Sequence, residues 1–103
     1  MSEESSLIYN KALDILSRRE HSAKELIFKL EKKFDSTEEI FLTVSKLKKN
    51  NLLNDFRYAE AYVVARKRKG FGPKKIKFEL LSKGIDESDI HKVLNEEGGW
   101  KKA

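Results

Sequence analysis

The sequence predicts an all-α fold made of tandem three-helix repeats, and three observations carry that expectation. Apolar residues recur three or four positions apart along almost the whole chain, the spacing of one face of a helix. A helix-starting residue (Ser, Thr, Asp or Pro) stands ahead of most of these runs. The chain also resembles itself at a shift of 50 residues.

The first helix is expected from about Ser5 to Arg18, with Leu7, Ile8, Ala12, Ile15 and Leu16 inward. Ser22 opens a second, since Glu25 three residues later completes a capping box, and Leu26, Ile27 and Leu30 follow on one face. Ser36 or Thr37 caps a third with the stripe Ile40, Val44 and Leu47, and Asn50-Asn51 ends it. Asp55 caps a fourth, whose inner face carries Phe56, Ala59, Tyr62, Val63 and Arg66; Gly70 terminates it in a left-handed conformation. Pro73 suits the first turn of a fifth, because its missing N–H needs no partner there. That helix presents Ile76, Leu80 and Leu81 and closes at Gly84. Asp86 caps the sixth, with Ile90, Val93 and Leu94 inward, and Gly98-Gly99 releases a tail.

At the 50-residue shift Lys24 matches Lys74, Leu26 Ile76, Phe28 Phe78, Leu30 Leu80, Lys33 Lys83 and Ile40 Ile90. The turn Glu20-His21-Ser22 falls on Gly70-Phe71-Gly72. We therefore expect a first three-helix repeat over residues 1–51, a second over 52–97 and a C-terminal tail over 98–103. Stacked repeats bury apolar faces against their neighbours, so the expected assembly is an elongated right-handed array that can curve.

Composition narrows the class. Charged residues make up 38% of the chain, well above the roughly 25% usual for soluble domains. They are mixed in sign and interleaved with apolar residues at helical spacing, which favours folding over disorder. Cysteine is absent, so no disulfide or thiolate metal site can form. The polar, acidic start and the lack of any apolar run of membrane-spanning length point to a cytoplasmic protein with no membrane association.

The net charge of +5 is unevenly placed. Residues 1–52 hold 10 Lys/Arg against 9 Asp/Glu, whereas residues 57–83 hold nine (Arg57, Arg66, Lys67, Arg68, Lys69, Lys74, Lys75, Lys77, Lys83) against Glu60 and Glu79. Such a field attracts polyanions or acidic protein surfaces; the plainer reading is a solvated lysine-rich face.

Catalytic constellations are missing. His21 and His91 lie far apart in sequence with no metal-ligand spacing, and no nucleophile elbow or phosphate-binding loop is present. No cofactor, metal or enzymatic activity is expected. Gly70-Phe71-Gly72-Pro73 reads either as an interhelical turn or as a backbone approach to an anion at the start of the fifth helix, where Lys74 and Lys75 would assist.

Leu53-Asn54-Asp55-Phe56-Arg57-Tyr58-Ala59, then Arg66, Gly70-Phe71-Gly72-Pro73, Ile76, Leu80 and Lys83-Gly84-Ile85, resembles the bacterial RecX family of recombination regulators. So does Arg18-Arg19-Glu20-His21-Ser22 with Glu25-Leu26 and Leu30, and the resemblance covers roughly residues 7–96. It implies helical repeats that bind the RecA recombinase filament on single-stranded DNA, along its groove, and restrain it. The family pattern usually has three repeats, of which two are visible and the third is not, so the sequence is expected to be either a short member or a fragment. Asp55, Tyr58, Ala59, Gly70, Gly72, Pro73, Gly84 and Ile85 match the pattern by position; we expect Asp55 to cap, Tyr58 and Ala59 to pack and the glycines to shape the turns.

For partner or nucleic-acid contact the expected residues are Arg66, Arg68, Lys69, Lys74, Lys75 and Lys77, with Arg18, Arg19 and Arg57 in addition. Single-stranded DNA would be met directly or through RecA, and a monomer is expected. The alternative is an autonomous DNA-binding module in which the fourth and fifth helices act as a helix-turn-helix-like pair.

Overall fold

The computed structural model describes residues 3–100. Within them the chain forms six helices and no strand: α1 (Glu3–Arg18), α2 (Ala23–Glu31), α3 (Thr37–Lys49), α4 (Asp55–Arg68), α5 (Pro73–Ser82) and α6 (Glu87–Glu97). The chain divides into two compact units, Met1–Asn54 and Asp55–Ala103, each holding three helices.

The first unit buries Ile8, Ala12 and Ile15 of α1, Ala23, Leu26 and Leu30 of α2, and Ile40, Val44 and Leu47 of α3, with Leu53 closing the cluster. The second buries Tyr58, Ala59 and Val63 of α4, Ile76 and Leu80 of α5, and Ile90 and Val93 of α6, with Ile85. Each stripe runs at three- and four-residue spacing, so one face of every helix turns inward. Burying one such aliphatic side chain contributes about 1.5–3 kcal/mol. The pairs Leu26/Ile76, Leu30/Leu80 and Ile40/Ile90 of the 50-residue shift are all core residues.

Two expected inward residues are not. Leu7 is 56% exposed and Leu81 44% exposed. In α1 the stripe is set by Ile8, Ala12 and Ile15, and in α5 by Ile76 and Leu80. One residue to the side of such a stripe is a rotation of about 100°, which carries Leu7 and Leu81 to the flank.

The expected caps form at α2 and α3 but not at α4 and α6. Ser22 and Glu25 form the reciprocal capping box, at 3.1 Å in both directions, and the Ser36 hydroxyl accepts from the Glu39 amide at 3.3 Å. Asp86 occupies the cap position of α6 without bonding a first-turn amide; its carboxylate accepts from the Ser88 hydroxyl instead. Asp55 is itself the first residue of α4, so its charge sits in the first turn, at the positive end of the helix dipole.

Three helices stop by the same backbone device. Leu52 donates to the Leu47 carbonyl, Phe71 to Arg66 and Ile85 to Leu80, while Asn51, Gly70 and Gly84 donate to Lys48, Lys67 and Leu81. This is the double bond pattern of a Schellman ending, which needs a left-handed residue. Gly70 (φ 91°) and Gly84 (φ 81°) supply it without strain, and Asn51 (φ 58°) is the non-glycine instance. The Lys83-Gly84-Ile85 run is thus a helix stop whose last residue enters the core.

Of the expected tail, Trp100 packs against the second core and its indole N–H donates to the Leu94 carbonyl at 3.0 Å. Residues 101–103 lie outside the described residues.

Candidate partner interface

The α4–α5 corner is organised around Arg66. Its Nε and Nη2 donate to the two carboxylate oxygens of Glu79 on α5, each at 2.9 Å, and the Tyr62 hydroxyl donates to the same carboxylate at 3.0 Å. The guanidinium also lies 3.9 Å from the centroid of the Phe71 ring. Arg66 and Phe71 are the two residues that face each other across a Schellman ending, where an apolar pair is usual. Here a cation stacked on an aromatic ring takes that place. The Arg66 hydrogen bond, with that of Tyr62, holds the Glu79 carboxyl below its ordinary value, outweighing the opposing effect of burial.

Arg66, expected among the contact cations, is therefore engaged inside its own unit, with a side chain only 23% exposed. It fixes the turn that carries the others. Arg68, Lys69 and Lys74 are exposed and have no partner among the described residues. Lys75 stands beside them, 4.0 Å from Glu79. At the start of α5, Gly72 is the cap residue and offers no side-chain bond, so the first amides of the helix have no cap side chain to accept from them. The turn reading and the anion reading of Gly70-Phe71-Gly72-Pro73 are both compatible with this geometry.

The remaining expected cations lie elsewhere. Lys77 pairs with Glu87 of α6 at 3.2 Å. Arg57 stands at the opposite end of α4 from Arg68, and both line a shallow groove with Glu60, Ala61, Val64 and Ala65. Arg18 and Arg19 belong to the first unit, paired with Asp14 (3.6 Å) and Glu25 (3.3 Å). Lys67 turns onto the chain end, donating to the Gly98 carbonyl at 2.7 Å and lying over the Trp100 ring.

Sequence reasoning undervalued one feature of this surface. Phe78 is 70% exposed on α5 beside Leu81, and its counterpart Phe28 is 61% exposed on α2. The paired Lys24/Phe28 and Lys74/Phe78 positions are exposed in both units, so core packing does not explain why they match. Their recurrence was visible at the 50-residue shift; their exposure was not.

Among the described residues no group of three or more His, Cys, Asp or Glu could hold a metal ion, and no helix is long and apolar enough to cross a membrane.

Comparison with known proteins places this geometry. The family described as "RecX, first three-helix domain" matches residues 9–47, and "RecX, second three-helix domain" matches residues 54–94. The chain is 37% identical over 95 residues to the regulatory protein RecX of Pseudomonas syringae pv. tomato, covering 91% of this chain and 61% of that protein. It is 39% identical over 89 residues to the regulatory protein RecX of Legionella pneumophila strain Corby, covering 86% and 59%. A crystal structure of RecX from Lactobacillus salivarius superposes with a TM-score of 0.83 at 34% identity, covering 95% of this chain and 64% of that one. A further crystal structure of regulatory protein RecX gives 0.86 at 29% identity, covering 93% and 48%. The chain spans about three-fifths of the length of the curated relatives it matches.

Proposed function

The chain belongs to the RecX family, a family of regulatory proteins and not of enzymes, and from that premise we propose that it restrains a RecA recombinase by binding the filament formed on single-stranded DNA. The contact surface is the α4–α5 corner. The observation that carries this reading is the Arg66–Glu79–Phe71 clamp, which holds a turn bearing three exposed cations, Arg68, Lys69 and Lys74, that are unpaired among the described residues. A rigid turn loses little conformational freedom on binding, so its charges are presented at low cost.

Exposed Phe78 and Leu81 beside Lys74 suit a protein surface with acidic and apolar groups better than bare phosphate backbone. Lys75 widens the positive field around the corner. The test is ATP hydrolysis by RecA on single-stranded DNA, titrated with the chain. Hydrolysis falls with the wild-type chain, and Arg68→Glu/Lys69→Glu/Lys74→Glu relieves the inhibition; no effect of the wild-type chain at any ratio overturns the reading.

One observation favours a second reading, an autonomous DNA-binding module. The uncapped start of α5 beside Lys74 and Lys75 is suited to a phosphate. That reading requires tight DNA binding without RecA and a steep dependence on salt. Weak DNA affinity that RecA enhances decides for the filament.

A further inference from the structure

The first unit is almost neutral when its charges are counted along the chain, yet they are not evenly spread in space. A cleft of about 570 Å³ lies between the second half of α1 and the second half of α2. Lys11, Arg18 and Arg19 line one rim, and Lys29, Lys32 and Lys33 the other. Among the described residues, the single carboxylate lining it is Asp14, shared between Lys11 at 3.7 Å and Arg18 at 3.6 Å. Lys29, Lys32 and Lys33 have no carboxylate partner among the described residues.

The wall of the cleft is built. His21 is 2% exposed. Its Nδ1 bonds the Arg19 carbonyl at 3.0 Å and its Nε2 meets the Lys29 ammonium at 2.8 Å. An ammonium only donates, so Nε2 is the acceptor, the imidazole is neutral and Nδ1 carries the proton. The Lys29 ammonium is thereby fixed by a neutral partner, which leaves its charge uncompensated and two N–H groups for a ligand. Attraction of cations to helix C-termini accounts for Arg18 and Lys29 lying in last turns. It accounts neither for Lys11 in mid-helix nor for Lys29 being turned onto a buried imidazole.

We propose that this cleft binds a short run of linked phosphates, held through its oxygens between the two cationic rims. The seven residue steps from Lys11 to Arg18 span about 10 Å of helix, a length suited to a few phosphates and not to an extended surface. Among the described residues no aromatic ring besides the His21 imidazole lines the cleft, so a nucleobase finds no other ring there to stack on and recognition rests on charge and hydrogen bonds. A free oligophosphate and the backbone of a nucleic-acid strand share this chemistry. The inference is independent of the recombinase reading, because the site lies in the other unit and needs no recombinase to be tested.

The experiment is calorimetric titration of the whole chain, without RecA and at near-physiological salt, with inorganic tripolyphosphate and separately with a short oligothymidylate. Three proteins are compared: wild type, Lys32→Glu/Lys33→Glu, and Lys48→Glu/Lys49→Glu, which changes the net charge equally but alters residues outside the cleft. One-site binding weakened about tenfold or more by the first variant and little by the second is expected, the loss of charge-assisted contacts being of that order. If tripolyphosphate shows it, the source is a free oligophosphate; if only the oligothymidylate does, the source is a nucleic-acid backbone. Absence of binding, or equal weakening in both variants, overturns the proposal.

Discussion

Arg66 and Glu79, thirteen residues apart on consecutive helices, meet through two parallel hydrogen bonds of 2.9 Å, while the same guanidinium stacks on Phe71. A planar fork is needed for both contacts at once, and a lysine ammonium cannot supply it. Arg66→Lys is therefore expected to lower the melting temperature of the second unit, and Arg66→Ala to lower it further. Circular dichroism melts of the two variants test the order, and equal melting of wild type and both variants would remove the clamp from the account.

Arg68, Lys69 and Lys74 are exposed and make no hydrogen bond or ion pair among the described residues. Their reversal to glutamate is expected to leave the melting temperature within a few degrees of wild type, since exposed substitutions away from special features cost within about 0.5 kcal/mol each. Inhibition of RecA on single-stranded DNA is expected to fall at the same time, separating this triple variant from Arg66→Ala, which alters both.

Phe78→Ser leaves the core untouched, because the ring stands outside it. Its stability is expected to match wild type, with weaker binding to the filament in a pull-down or by light scattering. Phe28→Ser tests whether the first unit contributes the same element.

Stability is expected to fall in two steps on acidification. The His21 imidazole is held below its ordinary 6.5, mainly by burial, with the positive charges of Arg19 and Lys29 acting in the same direction and the bond to the Arg19 carbonyl opposing. The unfolded chain then binds the proton more readily, so this contribution is complete above 6.5 and is lost as pH falls through the folded value. Glu79 is held below its ordinary 4.5, so its contribution persists to lower pH and is lost beneath 4.5. Thermal melts across the acid range test this; His21→Gln removes the upper step and Glu79→Gln the lower.

In the cores, Leu30→Ala and Leu80→Ala are each expected to cost about 2–5 kcal/mol, the range for fully buried leucines. Ser22→Ala, which deletes the capping box, is expected to cost about 1 kcal/mol. Denaturant titrations read all three.

The fold was legible because its signals are local. Ser22 with Glu25, Gly70, Pro73 and Gly84 each dictate a helix end by their own chemistry, and the stripes Ile40-Val44-Leu47 and Ile76-Leu80 name the buried faces. What a linear pattern leaves open is which edge of a stripe turns to solvent, and Leu7 and Leu81 lie on that edge. Asp86 shows a related ambiguity, because a carboxylate at a cap position can equally accept from a neighbouring hydroxyl. The candidate interface was half legible. Counting charge found the basic window but could not tell Arg66, which has a partner thirteen residues on, from Arg68, which has none among the described residues. It also passed over the first unit, where acidic residues at the starts of α1 and α3 cancel the cations of α1 and α2 in a sum although they do not line the same cleft.

The backbone endings of α3, α4 and α5 bear on how quickly the chain finds its structure. A helix that stops through bonds between its own last residues and the next two needs no distant segment to mark its end, so the reversals of direction can form while the chain is still open. With pairings this local, each triplet is expected to fold on the order of milliseconds or faster, and a stopped-flow refolding trace would show a fast phase carrying nearly all the amplitude. Substituting Gly84 by valine, which resists a left-handed conformation, would slow that phase if the reversal forms before the core, and would mainly speed unfolding if it forms after.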